Sequence, residues 1–306
     1  MRLCAFAGAF FCSLWSAPAI PQQRTATYGP PAKIATIKNS AINESSGLAA
    51  SRSLSGAYWT HNDSGGGPFI YAFNNRGDSL GVFRVAGADN DDWEDIAVGP
   101  GPEPNRSYLY IADIGDNEHA RSEVIVYRVP EPDLKSVDGS STKRRPLITA
   151  PAEAIRLKYP DGKHDAEALI VHPTSGNLYI VTKVVMANPT VYEAAAPFNS
   201  GKLITMTALG KVRVPSFFGG VITGGSISPD GRRVALCDYF RGYELVLPAA
   251  SSSFNDIWKQ RMTDFDLGKR KQGEAITYRL DGEALLATSE GKGFDLIQVE
   301  RLRSSR

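Results

Sequence analysis

The stretch that decides the fold runs from Asp92 to Asn117 and combines two apolar runs with two acidic clusters. It begins Asp92-Trp-Glu-Asp-Ile-Ala97, passes through a Gly/Pro/Asn-rich turn, and ends Tyr108-Leu-Tyr-Ile-Ala-Asp-Ile-Gly-Asp-Asn117. If the two runs are antiparallel neighbours, both acidic clusters lie at the same open end of a hairpin. The hairpin therefore predicts a concentration of carboxylates at one place.

The same plan recurs four more times along the chain. The corresponding positions in the repeats are Glu44, Glu94, Glu167, Ser226 and Glu274, separated by 50, 73, 59 and 48 residues. Each unit continues with two further segments of strand-like alternation. Periods of this size, with several short strands each, are typical of propeller blades. We therefore expect an all-β chain forming a single β-propeller of four-stranded blades, with five blades favoured and six as the alternative.

Three consecutive segments are expected. Residues 1–19 have the features of a secretory signal peptide, with Arg2 ahead of a short apolar core and Ala17-Pro-Ala19 as the cleavage pattern. Residues 20–31 form a polar, Pro-rich flexible lead. Residues 32–306 form the propeller, and the alternating segment Ala32–Lys38 is predicted to close the ring by pairing with the last blade near Phe294–Val299.

Charge and cysteine content narrow the functional classes. Without the signal peptide the chain holds 33 basic and 33 acidic residues, and Cys237 is its one cysteine. A balanced charge argues against broad binding to nucleic acid or to anionic membranes. The apolar run in residues 1–19 is too short for an ordinary membrane span. We expect a secreted or periplasmic monomer without a membrane span.

Four glutamates are predicted to meet at the entrance of the central channel, because each stands at the same point of a repeat: Glu44, Glu94, Glu167 and Glu274. Like charges in a narrow channel raise one another's pKa unless a cation compensates them. Calcium accepts several oxygen ligands in flexible geometry, so this ring is a candidate Ca²⁺ site. The alternative is structural, since acids at strand starts can accept hydrogen bonds from backbone N–H groups of a neighbouring blade.

A second set of polar residues is expected around this entrance, at the exits of the second strands. Its candidate ligand-binding members are Asn62, Asp63, Asn117, Arg121, Lys183, Asp238, Arg241 and Glu290. Asp113 and Asp116 are the candidate catalytic residues, because a carboxylate beside a metal can position a water molecule. The mixture of acids and bases suits an anionic ligand that is held through a metal.

Several phrases resemble those of secreted bacterial β-propeller proteins, most of them uncharacterised. They are Trp59-Thr-His-Asn-Asp-Ser-Gly65, Asp92-Trp-Glu-Asp-Ile-Ala97, Ile111-Ala-Asp-Ile-Gly-Asp-Asn117, Ile227-Ser-Pro-Asp-Gly231 and Gly273-Glu-Ala-Ile276. In layout the chain is also similar to calcium-dependent propeller hydrolases, but the similarity does not extend to their catalytic motifs. Ser226 departs from the glutamate pattern, which argues against a fully symmetric metal ring.

Two functional hypotheses follow. The first is a metal-dependent hydrolase that acts on a small anionic substrate such as a phosphate ester. The second is a non-catalytic module that binds a protein or a glycan, since a fold does not determine a function.

Overall fold

The computed structural model describes residues 27–199, 201–216 and 219–302, and the predicted signal peptide lies outside this part of the chain. Five small sheets are arranged as a five-bladed β-propeller with four strands per blade, which confirms the predicted fold. Among the described residues, no helix has the length and apolar character needed to cross a membrane.

Two short strands precede the first blade: β1 (Thr27–Tyr28) and β2 (Ala32–Thr36). The first blade contains β3 (Ser45–Ala50), β4 (Ala57–Asn62), β5 (Phe69–Asn74) and β6 (Ser79–Arg84). The second blade contains β7 (Trp93–Pro100), β8 (Ser107–Asp113), β9 (Val124–Pro130) and β11 (Glu153–Lys158). The short strand β10 (Leu147–Ile148) lies between β9 and β11 in sequence.

The third blade contains β12 (Ala166–Val171), β13 (Leu178–Thr182), β14 (Thr190–Ala194) and β16 (Thr207–Lys211), with β15 (Leu203–Thr205) before its last strand. The fourth blade contains β17 (Gly224–Ile227), β18 (Arg233–Cys237), β19 (Arg241–Val246) and β20 (Thr263–Asp266). The fifth contains β21 (Gly273–Tyr278), β22 (Ala284–Ser289) and β23 (Asp295–Leu302). Two 3₁₀ helices, Leu134–Ser136 and Phe254–Lys259, lie in connecting segments.

The N-terminal strand closes the ring, as the alternation in its sequence predicts. β2 pairs antiparallel with β23, with Ala32 opposite Gln298 and Thr36 opposite Asp295. β1, which lies in the Pro-rich lead, pairs with the far end of the same strand. The last blade is therefore built from both ends of the chain, and the ring cannot open at this blade without losing the β2–β23 ladder.

Two blades also gain a fifth strand from the next unit of sequence. β10 runs parallel to β6 on the outer edge of the first blade, and β15 runs parallel to β11 on the outer edge of the second. Covering an outer strand in this way removes unpaired N–H and C=O groups that could pair with another chain. The segment between Pro130 and Pro146 provides the first of these crossings.

The inner strands surround a central channel, and Asp95 on β7 ties three of them together. Its Oδ1 accepts the N–H of Ile96 at 2.8 Å, while its Oδ2 accepts the N–H of Leu169 at 2.9 Å and of Gly225 at 3.2 Å. The side chain thus crosses from the second blade to β12 and β17. It is 1% exposed. Burial raises the pKa of this carboxyl group, and the three backbone donors oppose that rise.

We predict that Asp95→Asn destabilises the propeller by about 2–3 kcal/mol, because an amide offers one acceptor oxygen where the carboxylate offers two, and a buried donor is left unpaired. Urea unfolding would measure the change. Asp91→Asn, at an exposed position four residues away, is the matched control. Equal unfolding midpoints for the two variants would show that Asp95 does not fasten the ring.

Candidate metal centre on the acidic face

Three of the predicted glutamates stand at single-residue bulges in the inner strands. In β7 the pairing passes from Trp93 to Asp95 and skips Glu94. In β12 it skips Glu167, and in β21 it skips Glu274. A bulge re-aims the side chain of the extra residue and bends its strand. All three bulges lie at the first residues of inner strands, so they form one acidic face of the propeller.

The remaining two blades depart from this arrangement. In β3 the register shift falls at Ser46 and Gly47, so Glu44 precedes the equivalent position by two residues. In the fourth blade β17 pairs without a shift from Gly224 to Ile227. Ser226 lies deeper in the strand, where its hydroxyl accepts the N–H of Tyr278 at 3.2 Å. An alignment of the repeats by residue type therefore places Glu44 and Ser226 at the same position as the three glutamates, and this placement is wrong.

A cluster of three carboxylates lies between the first and second blades. Asp63 follows β4, whereas Asp92 and Glu94 stand at the start of β7. One oxygen of each lies within 4.8 Å of the other two. The carboxylates of Asp92 and Glu94 accept no hydrogen bond from any described residue, and Asp63 accepts only the N–H of Ser64, at 2.6 Å. Three acids brought together without donors leave their lone pairs free for a cation.

Gly115 forms the floor of this cluster. A Cβ atom built at this position would lie 2.3 Å from Asp92 Oδ2 and 2.3 Å from Glu94 Oε1. Its N–H donates to the carbonyl of Asp92 at 3.2 Å, which holds the turn after β8 against the start of β7. A side chain here would push both carboxylate groups away, so their close approach over this position depends on glycine.

The electrostatics of the face reflect an excess of acid. Burial, followed by repulsion from Glu167 and from Asp63, raises the pKa of Glu94 well above its usual value. Burial raises the pKa of Asp92 to about 6 and that of Glu274 to about 9. Burial also raises the pKa of Glu167 to about 7, although Lys183 opposes the rise. Without a bound cation, the face lowers its charge by keeping protons.

The cationic candidates are already paired. Lys183 donates from Nζ to Glu167 Oε1 and lies over the ring of Tyr239, 5.6 Å from its centroid. Arg121 donates to Asp113 Oδ1 at 2.7 Å. Arg241 forms an exposed ion pair with Asp264 at 2.6 Å, away from the cluster. None of the three forms an ion pair with Asp63, Asp92 or Glu94, although Arg121 donates to the carbonyl of Gly115 at 3.0 Å and its charge opposes the rise in the pKa of Asp92.

Several other candidates hold loops in place. Asp113 also accepts backbone N–H groups of Asp91 and Asp92, and Asp116 accepts those of Ala120 and Arg121. Both candidate catalytic residues therefore have structural partners.

The same is true of two candidate ligand-binding residues. Asn62 Oδ1 accepts the N–H groups of Asn43 and Glu44. Asp238 accepts the N–H groups of Phe240 and Arg241 and the hydroxyl of Tyr243. Asn117 is exposed on its loop, and Glu290 is half-buried beside Glu274 and raises its pKa.

Two members of the cluster environment, Asp92 and Gly115, were not singled out as ligands from sequence. Both stand in the stretch Asp92–Asn117, directly beside residues that were. The features of the sequence that could have indicated them are the acid before the Trp-Glu-Asp motif and the glycine between Asp113 and Asp116. Their proximity depends on the register of β7 against β8, which the bulge shifts by one residue.

Comparison with known families finds no family model that matches the chain, and comparison with curated proteins finds no match. The resemblance to secreted bacterial propellers stays a prediction. The site is therefore interpreted from its own geometry.

The raised pKa values predict how stability changes with pH when no divalent cation is present. Glu94 and Glu274 keep protons in the folded chain that the unfolded chain releases near the ordinary glutamate pKa of 4.5. The free energy of unfolding should therefore fall as the pH rises from 5 to 8, by about 1.4 kcal/mol per pH unit for each full proton of difference.

Urea unfolding in chelator at several pH values measures this slope. Glu94→Gln should make it shallower, because the amide does not titrate. Glu118→Gln, at an exposed position on the same face, should leave it unchanged. A stability that is flat or rises between pH 5 and 8 would contradict the assignment.

Proposed function

We propose that the propeller binds a Ca²⁺ ion at Asp63, Asp92 and Glu94 and acts as an exported, metal-dependent hydrolase of a small anionic substrate. The observation that supports it most is the meeting of three carboxylates over Gly115 with almost no protein donors. A structural role would leave these oxygens hydrogen-bonded, as it does those of Asp95. A bound cation would supply the missing compensation.

The donor set favours calcium. All three candidate ligands offer carboxylate oxygen, and neither histidine nor cysteine belongs to the cluster. Hard cations prefer oxygen, and Ca²⁺ tolerates an irregular shell of six to eight ligands that water can complete. Magnesium requires a near-ideal octahedron. The three carboxylates come from two blades, and almost no hydrogen bonds hold them in a fixed orientation. Glu44, Glu167 and Glu274, predicted as ligands from sequence, are not members of this cluster.

An anionic substrate follows from the charges of the face. Lys183 and Arg121 are committed to Glu167 and Asp113, so the face by itself repels anions. A bound cation would make the potential near the cluster positive, and it would polarise a phosphoryl or carbonyl oxygen of the substrate. Glu167, with its pKa raised to about 7, has the proton affinity needed to take a proton from water near neutral pH.

A second candidate function, binding of a protein or glycan without catalysis, is favoured by one separate observation. Val185, Met186 and Phe240 are 69%, 70% and 58% exposed. They lie on loops that follow Lys183 and Tyr239, which contact each other. Exposed apolar side chains next to a polar site are a common feature of interaction surfaces.

Export fits both candidates. A secreted or periplasmic protein meets a calcium supply that suits a weak site, and Cys237 is the one cysteine in the described part of the chain, where its thiol is free and buried. The supporting features are the N-terminal residues 1–19. No nucleic acid and no membrane span are part of the proposal.

Calcium titration of the purified protein, followed by phosphatase and esterase assays with and without chelator, tests the proposal. Asp63→Asn, Glu94→Gln and Gly115→Ala should each weaken calcium binding by about tenfold or more, since even partners outside the direct shell of a metal contribute 10–100-fold. Glu118→Gln is the matched control and should bind as the parent does.

The outcomes separate the two candidates. Calcium binding with chelator-sensitive hydrolysis supports the enzyme. Calcium binding without hydrolysis of any substrate class favours the binding module. Calcium affinity that is absent in the parent, or equal in all variants, would refute the metal site.

A further inference from the structure

The central channel continues beyond Asp95 as an apolar chamber. Its wall receives one or more side chains from every inner strand, including Leu48, Ile96, Leu169, Ile227 and Tyr278. Asp95 crosses the channel at the level of Leu169 and Gly225, so the acidic face and the chamber lie on opposite sides of this carboxylate. Among the described residues that line the chamber, Arg52 is the one charged side chain.

Arg52 lines the chamber, and the charge of Glu131 acts on it without a close ion pair between the two side chains. Its guanidinium makes no hydrogen bond and no ion pair with any described residue. The carboxylate of Glu131 accepts hydrogen bonds from neutral donors, which include the Ser51 hydroxyl at 2.6 Å, Trp59 Nε1 at 3.0 Å, the Ser107 hydroxyl at 2.5 Å and the backbone N–H of Arg52 at 3.0 Å. Partial burial lowers the pKa of Arg52. An arginine stays charged even so, and its guanidinium, which is more weakly hydrated than an ammonium group, suits an external anion.

We propose that this chamber is a second ligand site, which takes a short-chain carboxylate with its alkyl chain inside and its carboxylate on Arg52. An apolar concavity with one placed polar group is the usual design of a small-molecule site. The cavity measures about 70 Å³. That is about half of a 150 Å³ cavity that accommodates benzene, so the chamber fits an alkyl chain of a few carbons better than a ring.

The carboxylate and the alkyl chain of the ligand each contribute to the expected affinity. A carboxylate bonded to arginine gains from charge and from two parallel hydrogen bonds. Each buried methylene adds about fourfold in affinity. The site goes beyond the proposed function, because it lies at the other end of the channel and uses none of the candidate calcium ligands.

Titration of butyrate into the full protein, followed by calorimetry or ligand-observed NMR, tests the proposal. Butyrate should bind saturably, about 16-fold tighter than acetate, which lacks two methylenes, and about tenfold tighter than butan-1-ol, which lacks the charge. Arg52→Gln should weaken butyrate binding about tenfold or more. Arg84→Gln, which removes an exposed arginine from β6, is the matched control and should bind as the parent does. Ala97→Leu should fill the chamber and abolish binding.

Chelator separates this site from the acidic face. Butyrate binding should be unchanged when calcium is removed, whether or not the metal site exists. Binding that disappears with chelator would place the carboxylate on a cation at the other face and overturn the proposal. So would the absence of saturable butyrate binding, equal binding by Arg52→Gln, or equal binding of butan-1-ol. Arg52 is exposed, so its variant tests the proposal even if Ala97→Leu fails to fold.

Discussion

Hydrogen bonds from three backbone amides to one buried carboxylate hold the centre of this propeller together. Asp95 joins β7 to β12 and β17, and thus fixes the second, third and fourth blades relative to one another. Other hydrogen bonds between inner strands join two strands each, such as that from the N–H of Tyr278 on β21 to the hydroxyl of Ser226 on β17, whereas Asp95 joins three. The same carboxylate divides the channel into an acidic end and an apolar end, so both proposed sites depend on its place.

The acidic end of the channel results from a β-bulge that recurs in three of the five inner strands. A bulge at the start of β7, β12 and β21 presents a glutamate in each case, whereas β3 has Ser46 and Gly47 at its shift and β17 has none. The face is therefore asymmetric. Lys183 compensates Glu167, while Glu94 receives two further acids in place of a base. This asymmetry limits the candidate metal site to the boundary between the first two blades.

Local patterns in the sequence were sufficient to predict the strands, the five blades and the closing strand, because alternation and Pro/Gly/Asp turns act over a few residues. They were not sufficient to predict which acids meet. A bulge adds one residue to a strand and does not change the pattern of residue types in a recognisable way. An alignment by residue type therefore matches Glu44 with Glu94, although Ser46 stands at the equivalent position. The contact of Asp63 with Asp92 joins different blades, and the loop-holding roles of Asp113 and Asp116 depend on backbone donors that residue types do not reveal.

The central claim is that one cation sits over Gly115 between the first two blades. The most direct measurement is a crystal structure of the protein grown with Ca²⁺, with anomalous difference density to locate the ion. The account predicts a single peak within about 2.3–2.6 Å of oxygens from Asp63, Asp92 and Glu94. A peak centred among Glu94, Glu167 and Glu274 on the channel axis, or no peak on the acidic face at all, would contradict it.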